Sequence, residues 1–188
     1  MKYQFYNETI PQEARQGLND KILYLIDQNL TEREGITAED IYNAYTGDGG
    51  LHGLKYSDFS NYHEFSETKK EIENGQFFTP PLVCKFIMET LGVEADKTVA
   101  DLTSGIGSFC NYMPVEANFY GCELDIKAHK VAHFLYPNAN LEHKDIRFYE
   151  PDIRFDYIVG NGSVLFRLNA KSPDFMRFCE CFAYKFAA

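Results

Sequence analysis

The sequence predicts an α/β fold: a mainly parallel sheet with covering helices, preceded by an N-terminal helical region. Three observations carry this. From residue 97 onward, apolar runs near 98–103, 117–123, 140–144 and 155–160 alternate with helical stretches near 107–113 and 125–135. Right-handed β-α-β crossovers produce that order. The segment Val99-Ala-Asp-Leu-Thr-Ser-Gly-Ile-Gly-Ser-Phe109 reads as a buried strand, a glycine turn and a helix start. Asp101, Glu123, Asp145 and Asn161 each stand at or just past a predicted strand end. Ligands of parallel sheets gather at those carboxyl ends, so four polar residues in succession describe a shared pocket.

Taken in order, residues 11–30 predict an amphipathic helix. Leu18, Ile22, Leu25 and Ile26 recur at helical spacing, and Pro11 sits near its start. Residues 37–46 predict a shorter helix that Thr37 can cap, with Asp40 as the acid three residues on. Gly47-Asp-Gly-Gly-Leu-His-Gly53 lacks the G-K-[ST] ending of a phosphate loop and reads as a turn-rich connection. Residues 55–74 are polar and aromatic, with a helix from Glu67 to Asn74 ending near Gly75. In Gly75-Gln-Phe-Phe-Thr-Pro-Pro81, Thr79 fits an N-cap and Pro80 the first position of a helix that runs to Leu91 and stops at Gly92. That helix start is either a simple cap or a set of free N–H groups suited to a carboxylate. Beyond the fourth strand, Pro173 to Ala188 reads as one helix covering the sheet.

Composition narrows the classes. The chain has 188 residues, enough for one domain or one and a half, and 45% of them are apolar. Sixteen Phe and thirteen Tyr predict an aromatic core. No apolar run approaches the roughly 18 residues of a membrane span, and the N-terminus has no signal-peptide core. Cysteines at 84, 110, 122, 179 and 181 are odd in number and irregular in spacing. They read as reduced thiols of a cytoplasmic protein, and the lone Cys179-Glu-Cys181 lacks the partners of a metal site. His129 and His133 are four apart on a predicted helix, but no zinc motif surrounds them, and no metal is expected. Phe77, Phe78 and Phe109 are better explained by core packing than by base stacking. A net charge of −10, with no basic run beyond Lys69-Lys70, argues against this chain gripping duplex DNA alone. A DNA role calls for further domains or subunits.

A glycine turn lets a ligand approach bare backbone. Asn118-Phe-Tyr-Gly-Cys-Glu-Leu-Asp125 places Glu123 one strand over, where a carboxylate can hold two ribose hydroxyls. The pairing suits a nucleoside cofactor. Gly105-x-Gly107-x-x-Cys110 lacks the third glycine of the dinucleotide fingerprint, so a nicotinamide oxidoreductase is a poor second choice.

Read more widely, D-x-x-x-G-x-G-x-F from Asp101 to Phe109, then Glu123, then Asp145-Ile146, resembles class I methyltransferases that use S-adenosylmethionine. The preceding Gly75-Gln-Phe-Phe-Thr-Pro resembles the N-terminal cofactor motif of N6-adenine DNA methyltransferases of type I restriction-modification subunits. Asn43-Ala-Tyr-Thr-Gly-x-Gly-Gly-Leu-His-Gly-Leu54 is similar to the lead-in of methylase modules in large methylase–helicase proteins of bacterial mobile elements. The resemblance covers roughly residues 35–161. It implies a partial Rossmann-like methyltransferase sheet in a truncated S-adenosylmethionine-binding domain over 75–188, after a helical region over 1–74. It also implies roles. Thr79 and the adjoining backbone, with Phe78, would hold the methionine carboxylate. Asp101 would face the methionine amino group, and Thr103 belongs to the same cofactor-binding set. Gly105 and Gly107 would let backbone pass close to the cofactor. Glu123 would hold the ribose, with Leu124 or Asp125 lining the adenine pocket. Asp145 would accept from the adenine amino group, and Ile146 would cover the ring.

The resemblance breaks at the catalytic signature, which reads Asn or Asp, Pro-Pro, then Tyr or Phe. Here Phe155-Asp-Tyr-Ile-Val-Gly-Asn161 is followed by Gly162-Ser-Val-Leu-Phe166. Asn161 is present as the catalytic candidate; both prolines and the adjoining aromatic are missing. Glycine loosens the backbone where the reaction needs a fixed acceptor, and a misplacement of about 1 Å can cost about a hundredfold in rate. The expectation is very weak or absent methyl transfer. Residues 1–161 carry 14 basic and 26 acidic side chains, and 162–188 carry 4 and 2, a change from −12 to +2. With four of the family's seven strands accounted for, the abrupt loss of the family pattern at residue 162 implies, through the resemblance, a truncated or frameshifted gene, or an artificial boundary. It also predicts an exposed edge at the fourth strand, through which the chain dimerises or pairs with a missing partner. The competing reading is a non-catalytic S-adenosylmethionine-binding scaffold that docks a helicase or a specificity subunit.

Overall fold

The structure, a computed structural model, describes residues 1–6, 12–46, 56–73 and 78–161. The expected turns of 47–53, the departure after Asn161 and the covering helix from Pro173 lie outside the described residues, as do Pro11, Phe77, Cys179 and Cys181.

Helix α1 spans Gln12–Gln28 and buries Ile22 and Leu25. It ends where Asn29 takes a left-handed φ of 55°, a conformation Asn tolerates better than most residues. Helix α2 spans Ala38–Thr46 and starts on the expected reciprocal cap. The Asp40 N–H donates to Thr37 Oγ1 at 3.1 Å, and the Thr37 N–H donates to Asp40 Oδ2 at 2.9 Å. Helix α3 spans Tyr62–Glu73 and begins earlier than expected, because Asn61 Oδ1 accepts the Glu64 N–H at 3.0 Å.

Helix α4 spans Pro81–Leu91, one residue later than expected, with Pro80 at the cap and not Thr79. The reason is local. Pro81 drives the residue before it out of the helical region, and Pro80 accordingly has ψ 137°. Gly92 ends the helix in the left-handed conformation, as expected.

Four strands follow, β1 Val99–Asp101, β2 Phe119–Glu123, β3 Asn140–His143 and β4 Tyr157–Val159. They form one parallel sheet in the order β3-β2-β1-β4. Helix α5, Ile126–Leu135, crosses from β2 to β3 and is capped by Asp125, which accepts from the N–H groups of Lys127 and Ala128. The helix expected over 107–113 is instead a loop closing in a 3-10 turn, Cys110–Tyr112. Gly107 has φ 79°, and Pro114 forces Met113 into extended backbone. Too few residues remain between them for an α-helix.

One apolar cluster joins these parts. Ile22, Ile41 and Tyr42 of the first two helices pack with Val99, Phe119, Val131 and Leu135 of the sheet and α5. Burial pushes the thiols of Cys84 and Cys122 up to about 12, so both are protonated core groups. No helix among the described residues is long and apolar enough to cross a membrane.

Candidate functional site

The carboxyl ends of β1, β2 and β4 come together because the strands are parallel and in register. Asp101 pairs with Gly121 on one side and Val159 on the other. The segment after Asp101 therefore has to cross the top of β2. The Ser104 N–H donates to the Cys122 carbonyl at 3.0 Å and seats the crossing. A Cβ on Gly121 would lie 2.9 Å from Ser104 Oγ and 2.6 Å from Leu141 Cδ2, so any larger residue there would have to displace the Ser104 or Leu141 side chain.

Glu123 fastens the crossing from the other side. Its Oε2 accepts the Gly105 N–H at 2.7 Å, and its Oε1 accepts the Asp125 N–H at 2.7 Å. Each oxygen of an ionised carboxylate has two acceptor positions, so each keeps one for a ligand hydroxyl. Gly105 itself has φ 54°, and a Cβ there would sit 2.8 Å from the ring of Phe78. Phe78, half-buried, thus lies directly over the glycine turn. Thr79, also half-buried, presents its carbonyl to the Cys84 thiol at 3.7 Å.

Asp101 is 2% exposed, and its Oδ1 accepts the Thr103 N–H at 3.1 Å. Burial pushes its pKa up to about 7; the Thr103 N–H offsets this in part, and the nearby Glu123 charge adds to it. Gly160, at φ 152°, closes the other side, where a Cβ would lie 2.9 Å from Asp101 Oδ1. Asn161 follows, exposed, at the same end of the sheet.

The third acid is engaged differently. Asp145 caps the 3-10 turn Ile146–Phe148 by accepting the Arg147 N–H at 2.9 Å. The Arg147 guanidinium also grips it, with Nη2 2.6 Å from Oδ2. These bonds hold the Asp145 carboxyl below the usual carboxylate range. Ile146 is half-buried beside it, and Leu124 is exposed at the head of α5.

The structure brings Asp101, Thr103, Gly105, Glu123, Leu124 and Asn161 to one end of the sheet, with Phe78 over Gly105. Gly107 has a packing reason: a Cβ there would lie 2.9 Å from the Tyr136 ring of the segment after α5. Sequence reasoning missed Tyr136, Arg147 and Gly160. Of these, only Gly160 carried a readable signal, a glycine between a strand and a polar site residue. His129 lies between His133 and His143, with ring centroids 6.1 and 5.6 Å away. No group of three His, Cys, Asp or Glu side chains among the described residues is placed to hold a metal. The arrangement concentrates carboxylates where backbone N–H groups already orient them. It suits a ligand carrying a positive charge and vicinal hydroxyls.

A family model described as N-6 DNA Methylase matches residues 60–161. Type II methyltransferase M.CvrRI of Paramecium bursaria Chlorella virus XZ-6E is 27% identical over 103 residues, which are 53% of this chain and 27% of that protein. The chain thus spans about a quarter of the length of this curated relative. Among solved structures, a modification subunit assigned to a type I restriction enzyme of Vibrio vulnificus YJ016 is similar at a TM-score of 0.43 and 16% identity. That match covers 66% of this chain and 29% of the subunit. A methyltransferase subunit of a type I restriction-modification system from Streptococcus thermophilus is similar at a TM-score of 0.38 and 18% identity, over 86% of this chain and 45% of that one.

Proposed function

The chain belongs to the N-6 DNA methylase family, and on that premise we propose that it is an S-adenosylmethionine-binding module of an adenine-N6 DNA methyltransferase in a restriction-modification or methylase–helicase system. The observation that carries the reading is Glu123, held by the Gly105 and Asp125 N–H groups one strand from the buried Asp101. That geometry fits the cofactor's fixed features. The spare acceptor positions of Glu123 take the two ribose hydroxyls. Asp101 takes the methionine ammonium, with Thr103 holding its carboxylate in place. Thr79 and the adjoining backbone, with Phe78, take the methionine carboxylate just ahead of α4, whose own Val83 and Cys84 N–H groups are spent on the Pro80 carbonyl. Gly105 makes room for the Phe78 ring and offers its N–H to Glu123, and Gly107 keeps the turn seated. Leu124 and Ile146 flank the adenine, and Asp145 accepts from its amino group once Arg147 gives up one of the bonds that now fill both carboxylate oxygens. When bound, S-adenosylmethionine supplies a methyl group on a sulfonium.

Asn161 stands where the target amine would be received. Gly162-Ser163 follows it in place of the two prolines whose rings would set the acceptor's direction, and on that ground methyl transfer is very weak or absent. The net charge of −10 leaves DNA affinity to further domains or subunits, a helicase or specificity subunit among them. Among the described residues β4 pairs only with β1, and its open edge is the surface for a partner or a second copy; light scattering at high concentration reads that pairing. The same missing prolines favour a second reading, a scaffold that binds the cofactor without transferring its methyl group.

Titration with S-adenosylmethionine and then with duplex DNA, together with a tritiated-methyl assay on unmodified bacterial DNA, tests both readings. Cofactor binding with weak DNA affinity supports the methylase module, and cofactor binding with no DNA affinity supports the scaffold. Absence of cofactor binding sinks both, and robust incorporation at adenine N6 refutes the degraded-motif claim.

A further inference from the structure

We propose that the N-terminal segment Lys2–Tyr6 is a positioning strap for the Gly105–Gly107 turn and thereby sets the affinity of the site for its cofactor. The affinity half rests on the S-adenosylmethionine reading above; the positioning half does not.

The strap is held by side chains that imitate a neighbouring β-strand. Asn111 is fully buried, four residues beyond Gly107 in the 3-10 turn. Its Oδ1 accepts the Tyr3 N–H at 2.7 Å, its Nδ2 donates to the Tyr3 carbonyl at 2.9 Å, and the Lys2 N–H donates to the Asn111 backbone carbonyl at 2.9 Å as well as to Oδ1 at 3.2 Å. Asn43 of α2 repeats the pattern further along. It accepts the Tyr6 N–H at 2.6 Å and donates to the Gln4 carbonyl at 2.8 Å. The strap therefore ties α2 to the segment that closes the glycine turn.

Its side chains reach the turn from a second direction. The Tyr3 ring lies 5.6 Å from Tyr42 and 5.7 Å from Tyr136, centroid to centroid. The Tyr3 hydroxyl donates to the Leu135 carbonyl at 2.6 Å. The Lys2 ammonium donates to that same carbonyl at 2.7 Å, pairs with Glu116 at 2.7 Å, and stands 5.4 Å from the Tyr3 and Tyr136 ring centroids. Tyr136 is fully buried, yet its hydroxyl has no hydrogen-bond partner among the described residues. Among the described residues that ring is fixed by packing and by the Lys2 ammonium over it, with Tyr3 on one side and Gly107 against it. Asn111 behind the turn and Tyr136 beside it are thus both set by the strap. The turn in turn presents the Gly105 N–H to Glu123.

Tyr3→Ala and Tyr3→Phe in the full chain test this, read by amide hydrogen exchange and by S-adenosylmethionine titration. Tyr3→Ala should speed exchange at Gly107 and Cys110 by about tenfold or more while Cys122 and Val131 stay within about twofold. It should also weaken cofactor binding by about tenfold, and Tyr3→Phe, which keeps the ring, should restore both. Unchanged exchange at the turn overturns the proposal even if the cofactor binds, and so does a uniform rise across the sheet. Exchange that responds in a chain that binds no cofactor supports positioning and refutes the function proposed above. Should Tyr3→Ala fail to fold, Asn43→Ala, which cuts the anchor on α2, is read in the same way.

Discussion

Replacing Asp101 with Asn should flatten the dependence of stability on pH between about 4 and 8. The carboxyl is buried at the end of β1 with one backbone N–H on Oδ1, and its pKa rises from 3.8 to about 7 on folding. A group whose folded pKa exceeds its unfolded value stabilises the fold when protonated. That contribution is complete below about 3.8 and is lost as pH rises through about 7. At about 1.4 kcal/mol for each tenfold change in proton affinity, the ionised form costs the fold about 4 kcal/mol. His129 acts in the opposite direction in part of this window: burial and the neighbouring His143 and His133 lower its pKa, so its contribution is lost as pH falls. It is common to both proteins, so the difference between wild type and variant isolates Asp101. Urea unfolding at pH 5, 6, 7, 8 and 9 is the assay. Asp101→Asn should be the more stable protein at pH 8–9, with the gap closing toward pH 5. A wild type that is flat across the window, or a variant that keeps the wild-type slope, would refute the assignment of this titration to Asp101.

Other perturbations follow from the same contacts. If Asp101 receives an ammonium, binding removes its proton, so S-adenosylmethionine affinity should rise by about tenfold per pH unit below about pH 7 and level off above it; calorimetry at several pH values in Asp101→Asn should show no such rise. Gly160→Ala adds a Cβ 2.9 Å from Asp101 Oδ1 at a φ of 152°. It should cost about 1–3 kcal/mol for the backbone alone, read as a lower urea midpoint. Asp40→Ala removes half of the cap on α2 and should cost about 1 kcal/mol at neutral pH. Because the Thr37 bonds lower the Asp40 pKa, that cost should vanish as pH falls below the folded value.

Much of this fold was legible because its signals are local. The Thr37–Asp40 cap and the stop at Gly92 each rest on a side chain or glycine acting within four residues; Asp125, read as an alternative lining of the adenine pocket, instead caps α5. The parallel sheet was legible because alternating strands and helices leave few topologies. Errors came where two local rules met. Pro81 overruled a Thr79 cap by acting on the residue between them, and Gly107 with Pro114 left no length for a helix. The site divided in the same way. Asp101 and Glu123 were visible as strand-end residues and Gly105 as part of a glycine turn, whereas Tyr136 against Gly107 and Arg147 on Asp145 depend on packing and rotamers that spacing does not encode.

Calorimetric titration with S-adenosylmethionine, on wild type and on Glu123→Ala, addresses the cofactor site most directly. Losing a carboxylate that takes two charge-assisted hydrogen bonds should weaken binding by about 2–4 kcal/mol, with the variant still folded by circular dichroism. Equal affinity in the two proteins, or no heat from either, would contradict the site built around the ends of β1 and β2.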